Sequence, residues 1–219
     1  MENVPYDIIC SKDTFDSVKK DKRFLNLLTL ARFLNALRFS QKAGIDAKDP
    51  ENPCDARSRI NSFFFSASIL YEGFRFVEKK MTRDLKDRDS YKSGFKVLLK
   101  DPKVQNFKKK VLKRMREKFV FHFDKEVPSE SLENFELPEY KFATGIGEAG
   151  GEMVFLLADE VVINWLLQPG PDETDDSLKV RLNRIVNDTH KVTGKFLEAA
   201  ERLMGDVLKN MGFKVRING

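Results

Sequence analysis

The chain has 219 residues, of which 41% are apolar and 33% charged, and its net charge is +5. This length and apolar content predict one domain with a substantial core. Only two cysteines, Cys10 and Cys54, and two histidines are present, which excludes a Cys/His zinc site of standard spacing. Charges interrupt every apolar run before the ~18 residues of a membrane span, and the N-terminus lacks the pattern of a secretory signal. We therefore expect a soluble, cytoplasmic protein with reduced thiols.

Helical periodicity dominates the first half of the chain. Residues 22–43 carry Leu, Ala and Phe on most faces, which predicts a central helix. A polar, proline-bearing break follows at 46–55. Apolar residues then recur at three- and four-residue spacing over 56–83, which predicts a second long helix. Pro102 suits the first turn of a third helix, predicted over 103–126.

The second half interrupts this pattern once. Prolines and glycines over 128–156 forbid a long helix, and YKFATGI and EMVFLL resemble two short strands joined by a glycine-rich turn. Two further helices follow, one through LADEVVINWLL and one over 177–211 with the clearest apolar face. The predicted fold is mainly α: a single bundle of long antiparallel helices over 20–217, with a small β-hairpin near 140–156, preceded by an N-terminal segment, 1–19.

The predicted hairpin turn contains GIGEAG, residues 145–150, which matches the GxGxxG pattern of dinucleotide-binding loops. That chemistry needs a buried strand before the glycines, a helix directly after them and a returning parallel strand. Here the preceding segment is half polar and no second strand completes the unit. The glycines fit a hairpin turn better, because glycine reaches positive φ without strain.

Both histidines of the chain follow an arginine by six positions. The first pair, Arg116 and His122, lies in the apolar stretch REKFVFHFD, and the second, Arg184 and His190, lies in the middle of the last predicted helix. Arginine is common enough in this chain that the spacing alone proves little. We select the first pair on its setting and treat the second as incidental.

The run VLKRMREKFVFHFDKE resembles the R-x4-6-H motif region of the HEPN superfamily, small α-helical bundles that include many metal-independent ribonucleases. The resemblance covers the bundle architecture over about residues 20–127, with Arg116 and His122 as the motif residues. In these proteins the residue after the arginine is often a small polar one such as Asn or Asp. This chain has Glu117 there, which we include among the candidate catalytic residues.

The chemistry that the resemblance implies suits these side chains. RNA carries its own nucleophile, the 2′-hydroxyl. Imidazole titrates near neutrality and can move the proton, while guanidinium is a permanent cation that can stabilise charge on the phosphate. The resemblance thus implies an endoribonuclease that needs no metal or other cofactor. We expect a toxin or defence effector, with an antitoxin or another protein as a possible further partner.

Helix geometry separates the two motif residues. Six residues at about 100° each leave Arg116 and His122 roughly 120° apart around a straight helix and ~9 Å apart along it. A reactive centre would need a helix distortion, a long reach of the arginine, or a second subunit. HEPN ribonucleases typically dimerise so that two motifs line one cleft, and we expect a homodimer that buries surface around 104–124.

A structural interpretation of the same residues stays open. His122 continues an apolar stripe that includes Val104, Phe107, Val111, Met115 and Phe119, as a core histidine would. Arg116 is one of seven basic residues in KKKVLKRMREK, and such a run is usually a solvated helix face. The alternative function is therefore a non-catalytic helical bundle that binds a nucleotide, an RNA or a protein. A third interpretation is an oligomeric scaffold whose long final helix pairs with a copy of itself.

Other residues are candidates for supporting roles. Glu72 is a carboxylate among large apolar residues of the second predicted helix, where burial would require a partner such as an arginine. Its simpler interpretation is a boundary residue that faces water. Arg32, Asn35 and Arg38 lie on one side of the first helix and could contact the same cleft. The candidates for contacts with RNA phosphates are Lys109, Lys110, Lys113 and Arg114.

Overall fold

The computed structural model of the protein describes residues 6–49, 52–117, 144–145, 153–154, 156–167 and 174–217. Over these residues the protein is mainly α-helical, as the sequence predicts, with two small antiparallel sheets. Among the described helices, none is both long enough and apolar enough to cross a membrane.

A strand and a short helix precede the bundle. Strand β1 covers Tyr6–Ile9, and helix α1 covers Lys12–Val18. The hydroxyl of Ser11 caps α1 by accepting a hydrogen bond from the backbone N–H of Thr14 at 3.2 Å. A cap of this kind satisfies one of the N–H groups that the first helical turn leaves without a partner.

Two long antiparallel helices pack against each other at the centre of the molecule. Helix α2 covers Lys22–Asp46 and helix α3 covers Pro53–Phe76. Their contact is close: Ser40 Oγ donates to the carbonyl of Ser62 at 2.7 Å, and a Cβ on Gly44 would lie 2.5 Å from Ser62 Oγ. Glycine at that position therefore permits the approach of the two helices.

The second predicted helix, 56–83, is confirmed, with one distortion. Helix α3 continues through a wide π-type turn at Val77–Met81 into helix α4 at Thr82–Leu85. Single π-turns inside α-helices frequently occur at functional sites. This one faces the helix that carries Arg116.

A series of shorter helices leads to Arg116. Pro102 occupies the first turn of the third predicted helix, and Asp101 caps it by accepting from the backbone N–H of Lys103 at 2.9 Å. The predicted range 103–126 is confirmed as far as Glu117, and the remainder lies outside the described residues. The segments are α5 (Asp89–Ser93), α6 (Phe95–Lys100), α7 (Pro102–Phe107), a second π-type turn (Lys108–Leu112) and α8 (Lys113–Met115).

The apolar stripe predicted along this helix is only partly correct. Met115 is fully buried, but Phe107 and Val111 are only partly buried against the core. Leu112 is fully buried instead, and Lys108 is 9% exposed. The π-type turn adds a residue to one helical turn, so the buried face moves by one position relative to a regular helix.

The last two helices complete the core. Helix α9 covers Leu156–Leu167 and helix α10 covers Asp175–Asn210, as predicted within one or two residues. Phe196 of α10 meets Phe74 and Phe95 edge to face, with ring centroids 5.1 and 5.3 Å apart. The buried side chains of the apolar face of α10 are Thr189, Val192, Phe196, Ala199, Leu203 and Val207.

The predicted hairpin is confirmed, and a second sheet was not anticipated. Strand β2, Thr144–Gly145, pairs antiparallel with strand β3, Met153–Val154, which places the first glycine of GIGEAG in a hairpin strand. Strand β4, Lys214–Ile217, pairs antiparallel with β1. No parallel pairing occurs among the described strands, and therefore nothing in them resembles a dinucleotide-binding unit.

Candidate functional site

The candidate site lies where the helix carrying Arg116 packs antiparallel on α3. Leu112 and Met115 have no exposed surface, so the helix face that they share is fixed against the core. Arg116 follows Met115 directly and lies at the border of this contact, with 25% of its side chain exposed. Burial of the neighbouring side chains thus restricts where the guanidinium can lie.

Glu72 of α3 holds Arg116 in place. Arg116 Nε donates to Glu72 Oε1 at 2.6 Å. Arg75, one turn further along α3, donates through Nη1 to Glu72 Oε1 at 3.0 Å and to Oε2 at 3.3 Å. Of the two interpretations of Glu72, the structure favours a partly buried carboxylate paired with arginine, since 26% of its side chain is exposed. The cluster joins two cations to one anion.

A second ion pair joins the same two helices. Lys108 Nζ lies 2.5 Å from Glu78 Oε1 and 6.0 Å from the ring centroid of Phe74. Both charged residues belong to the π-type turns, which therefore face each other across the helix contact. Two charged links, Glu72 with Arg116 and Glu78 with Lys108, fix the register of this helix on α3.

The residues predicted to bind RNA phosphates divide into two groups. Lys109, Lys110 and Lys113 are exposed and available to solvent. Arg114 is partly buried instead, with its guanidinium carbon 4.3 Å from the ring centroid of Trp165 in α9. A cation over an aromatic face is a stabilising contact between helices. Of the four predicted phosphate contacts, the three lysines are therefore the exposed ones.

Of the other two predicted catalytic residues, Glu117 belongs to the described part of the chain and His122 does not. Glu117 is partly buried, and its Oε1 lies 3.9 Å from Nζ of Lys113. His122 lies outside the described residues, and so does any contact between it and Arg116. Residues 116 and 117 themselves have the wide π-type conformation, so the helix is already distorted at the arginine.

The remaining candidates lie elsewhere on the surface. Arg32 and Asn35 are exposed on α2, and Arg38 forms an ion pair with Glu201 of α10 instead of contacting Arg116. The second arginine–histidine pair, Arg184 and His190, is exposed on α10. Among the described residues, no group of three or more His, Cys, Asp or Glu side chains is placed to hold a metal ion.

The sequence analysis missed two members of the site. Arg75 lies three residues after Glu72, a spacing at which oppositely charged side chains meet on a helix, so this pair was accessible from the sequence. Lys108 was counted within a solvated basic run, although it is almost fully buried. Its contacts with Glu78, 30 residues away in sequence, and with the ring of Phe74 distinguish it from the neighbouring lysines.

Comparison of the chain with protein-family models, with curated proteins and with solved structures finds no match.

Proposed function

We propose that this protein is a metal-independent endoribonuclease of the HEPN type, in which Arg116 and His122 act on the phosphodiester of RNA. The proposal rests on the sequence resemblance. The observation that supports it is the fixed position of Arg116, which Glu72 holds beside an exposed basic helix surface.

The proposed roles follow from the chemistry of the side chains. His122 transfers a proton, either from the 2′-hydroxyl or to the leaving 5′-oxygen. Arg116 stabilises the charge that develops on the phosphate, because guanidinium stays protonated and presents several donors in one plane. The products are a 2′,3′-cyclic phosphate and a free 5′-hydroxyl.

Glu72 and the exposed lysines have supporting roles in this proposal. A charge-assisted contact of 2.6 Å restrains the arginine before substrate arrives, and such restraint lowers the reorganisation that the reaction requires. Lys109, Lys110 and Lys113 attract the RNA backbone without selecting sequence. Glu117, directly after the arginine in sequence, completes the set of candidate catalytic residues.

One observation favours the alternative, a non-catalytic bundle that binds RNA, a nucleotide or a protein. Glu72 occupies Arg116 with an ion pair that also links two helices, which is what a purely structural arginine would do. The two functions differ in what happens to bound RNA. A binding module leaves the strand intact, whereas the ribonuclease cleaves it.

The test is cleavage of single-stranded RNA by the purified full chain in EDTA, with DNA of the same sequence as the matched substrate. We expect RNA cleavage to 2′,3′-cyclic phosphate ends and no DNA cleavage, because DNA lacks the nucleophile. His122→Ala should lower the rate by about 10²- to 10⁴-fold, the usual contribution of a proton-transfer group. Arg116→Ala should lower the cleavage rate by a comparable factor, because it removes the charge that stabilises the phosphate in the transition state. The matched control, Arg184→Ala, removes an exposed arginine from α10 and should leave the rate unchanged.

Folding is checked before any rate is compared, because loss of an interhelical contact can also unfold the bundle. Each variant must show the wild-type far-UV spectrum and melt near the wild type. Wild-type protein that is inert on varied RNAs, or a folded His122→Ala variant with full activity, would reject the ribonuclease.

The lysines are tested by binding rather than by rate. Replacing Lys109, Lys110 and Lys113 together by Gln should weaken RNA binding and flatten its salt dependence, by about 0.7 in the log–log slope per lost phosphate contact. The matched control is the triple replacement of Lys20, Lys96 and Lys100, which are also exposed. Equal loss in both triple variants would mean that the basic surface of this helix has no special role.

A further inference from the structure

A pocket of about 440 Å³ lies away from Arg116, between the end of α2, the beginning of α3, α9 and α10. Its volume is within the range of small-molecule sites. Ser66, which lines it, precedes Glu72 by six residues of α3, or ~9 Å along the helix axis. The pocket is therefore separate from the cluster that holds Arg116.

The walls of this pocket are mostly apolar. Phe63 and Phe64 contribute from α3, Ile163 from α9, and Leu182 and Val186 from α10. Phe63 and Ile163 are both only partly buried, so part of the apolar surface of the pocket remains accessible to a ligand. An apolar body of a ligand would be removed from water here, which is the main source of small-molecule affinity.

One buried polar atom in the lining has no partner. The side chain of Thr193 is 1% exposed, and its Oγ1 makes no hydrogen bond with any residue that the structure describes. Thr189, one turn earlier, donates to the carbonyl of Ile185 at 2.8 Å, and Ser66 donates to Ser40 at 3.0 Å. Buried hydroxyls normally have partners. This oxygen has less than 1 Å² of accessible surface, so a ligand in the pocket reaches it only after the Thr193 side chain rotates about χ1.

The charge of the lining is positive. Arg59 lines the pocket and is held by two backbone carbonyls, through Nε to Ala47 at 2.6 Å and through Nη2 to Lys48 at 2.9 Å. His190 and Asn183, two turns apart on α10, add polar groups, and none of the lining residues that the structure describes is Asp or Glu. A fixed cation without an anion among these described residues favours a negatively charged head group.

We propose that this pocket binds a small monoanion with an apolar ring system, its carboxylate at Arg59 and His190 and a polar ring atom at the hydroxyl of Thr193. The apolar walls contributed by Phe63, Phe64 and Val186 enclose the ring. The site does not depend on the proposed ribonuclease, and it assigns a role to the histidine of the second arginine–histidine pair.

The experiment is calorimetric titration of the full chain with two probes that share one ring. Indole-3-acetate carries the ring, a ring N–H and a carboxylate, and indole-3-ethanol replaces the carboxylate by a neutral hydroxyl. We expect saturable one-to-one binding of indole-3-acetate and at least fivefold weaker binding of indole-3-ethanol. Absence of saturable binding of indole-3-acetate up to millimolar concentration overturns the proposal.

Two variants separate the two polar contacts. Arg59→Gln should weaken the binding of indole-3-acetate and leave the binding of indole-3-ethanol unchanged, because the substitution removes the charge opposite the carboxylate. Thr193→Val should weaken the binding of both probes by a similar factor, because both carry the ring N–H that is proposed to contact the Thr193 hydroxyl. Thr193→Val also removes a hydroxyl that has no partner in the free protein, so its melting temperature should stay the same or rise. Equal effects of Arg59→Gln on the two probes would overturn the assignment of the head group.

A further pair of variants tests the location. Val186→Trp should fill the pocket and abolish binding of indole-3-acetate. Val180→Trp on the same helix should leave binding unchanged, because Val180 is 64% exposed and lies outside the lining. Binding that survives Val186→Trp with unchanged affinity overturns the location. If Val186→Trp fails to fold, Thr193→Val tests the location by itself. A structural role of Thr193 cannot explain weaker binding in a variant whose stability is unchanged.

Discussion

Single acidic side chains differ in what the fold does to their proton affinity. Burial raises the pKa of Asp159 in α9 above its usual range, and the charge of Arg57 opposes that rise. The opposite holds at the start of α2, where hydrogen bonds from the side chain of Arg23 lower the pKa of Asp21. Asp159 in its charged form therefore destabilises the fold, and charged Asp21 stabilises it.

The first residue-scale prediction concerns Asp159. Its raised folded pKa means that the folded state binds the proton more tightly than the unfolded state, so the destabilising contribution of this one group disappears as pH falls toward the unfolded value of 3.8. Asp159→Asn removes the penalty, so we expect a higher melting temperature near pH 7 and a gain that shrinks as the pH is lowered. Calorimetric melting between pH 4 and pH 8 measures this.

The control for Asp159 is its neighbour. Glu160 is exposed on the same helix, and Glu160→Gln makes the same change of charge without relieving burial. A gain at pH 7 that is equal in the two variants would point to net charge, not to burial, as the cause. A gain for Asp159→Asn that grows at low pH would contradict the sign derived from its pKa.

At the scale of the elements, the contact between α3 and α10 is unusually close. A Cβ on Gly73 would lie 2.8 Å from Phe196 Cζ, and Phe196 is itself enclosed by Phe74 and Phe95. Because Phe196 is fully buried, its ring can make room for a Cβ on Gly73 only by displacing its neighbours. Gly194 and Gly205 of α10 differ, because a Cβ there would meet nothing within 4 Å.

This contrast gives a prediction for three Gly→Ala variants. Gly194→Ala and Gly205→Ala should each raise the free energy of unfolding by about 0.5–1 kcal/mol, because alanine restricts the unfolded chain and favours the helix. Gly73→Ala should lower it, since overpacking a core typically costs about 1–3 kcal/mol. Urea denaturation measures all three. A stabilised Gly73→Ala variant would show that α3 and α10 can separate without cost.

At the scale of the whole molecule, the two ends of the described chain meet in one sheet. Strand β1 pairs with β4, and Asp7 lies opposite Arg216 with their side chains 2.7 Å apart. The described surface also carries exposed apolar residues on α2 and α3, among them Phe39 at 78% and Phe65 at 49%. The described part of 104–124 carries the three exposed lysines instead.

The prediction at this scale is the homodimer that buries surface around 104–124. Lysines of the two copies would repel at that interface, so we expect association to strengthen as salt screens them, from ~0.05 to ~0.5 M. Light scattering at micromolar concentration tests this. Phe39→Asp is the control, because it disrupts a dimer through α2 and leaves one around 104–124 intact. A monomer at every salt concentration would leave the two-subunit cleft without support.

The positions of the long helices and of the hairpin could be predicted from the sequence, because the pattern that defines them is local. Apolar spacing located α2, α3 and α10, and two glycine-bounded runs located β2 and β3. The candidate arginine and its acidic partner were also selected from the sequence alone. Glu72 is a carboxylate among apolar neighbours, where burial would require a partner such as an arginine, and a position facing water was the other interpretation.

Only the tertiary structure decided which of these groups meet. Glu72 reaches Arg116 over 44 residues, and Asp7 reaches Arg216 over 209. Lys108 is buried while the two lysines that follow it are exposed, because a π-type turn shifts the buried face of their helix. Thr193 of α10 is buried beside a pocket that residues of α2, α3 and α9 also line. Periodicity shows which side of a helix is apolar, but the packing of distant segments determines the partner of each polar group.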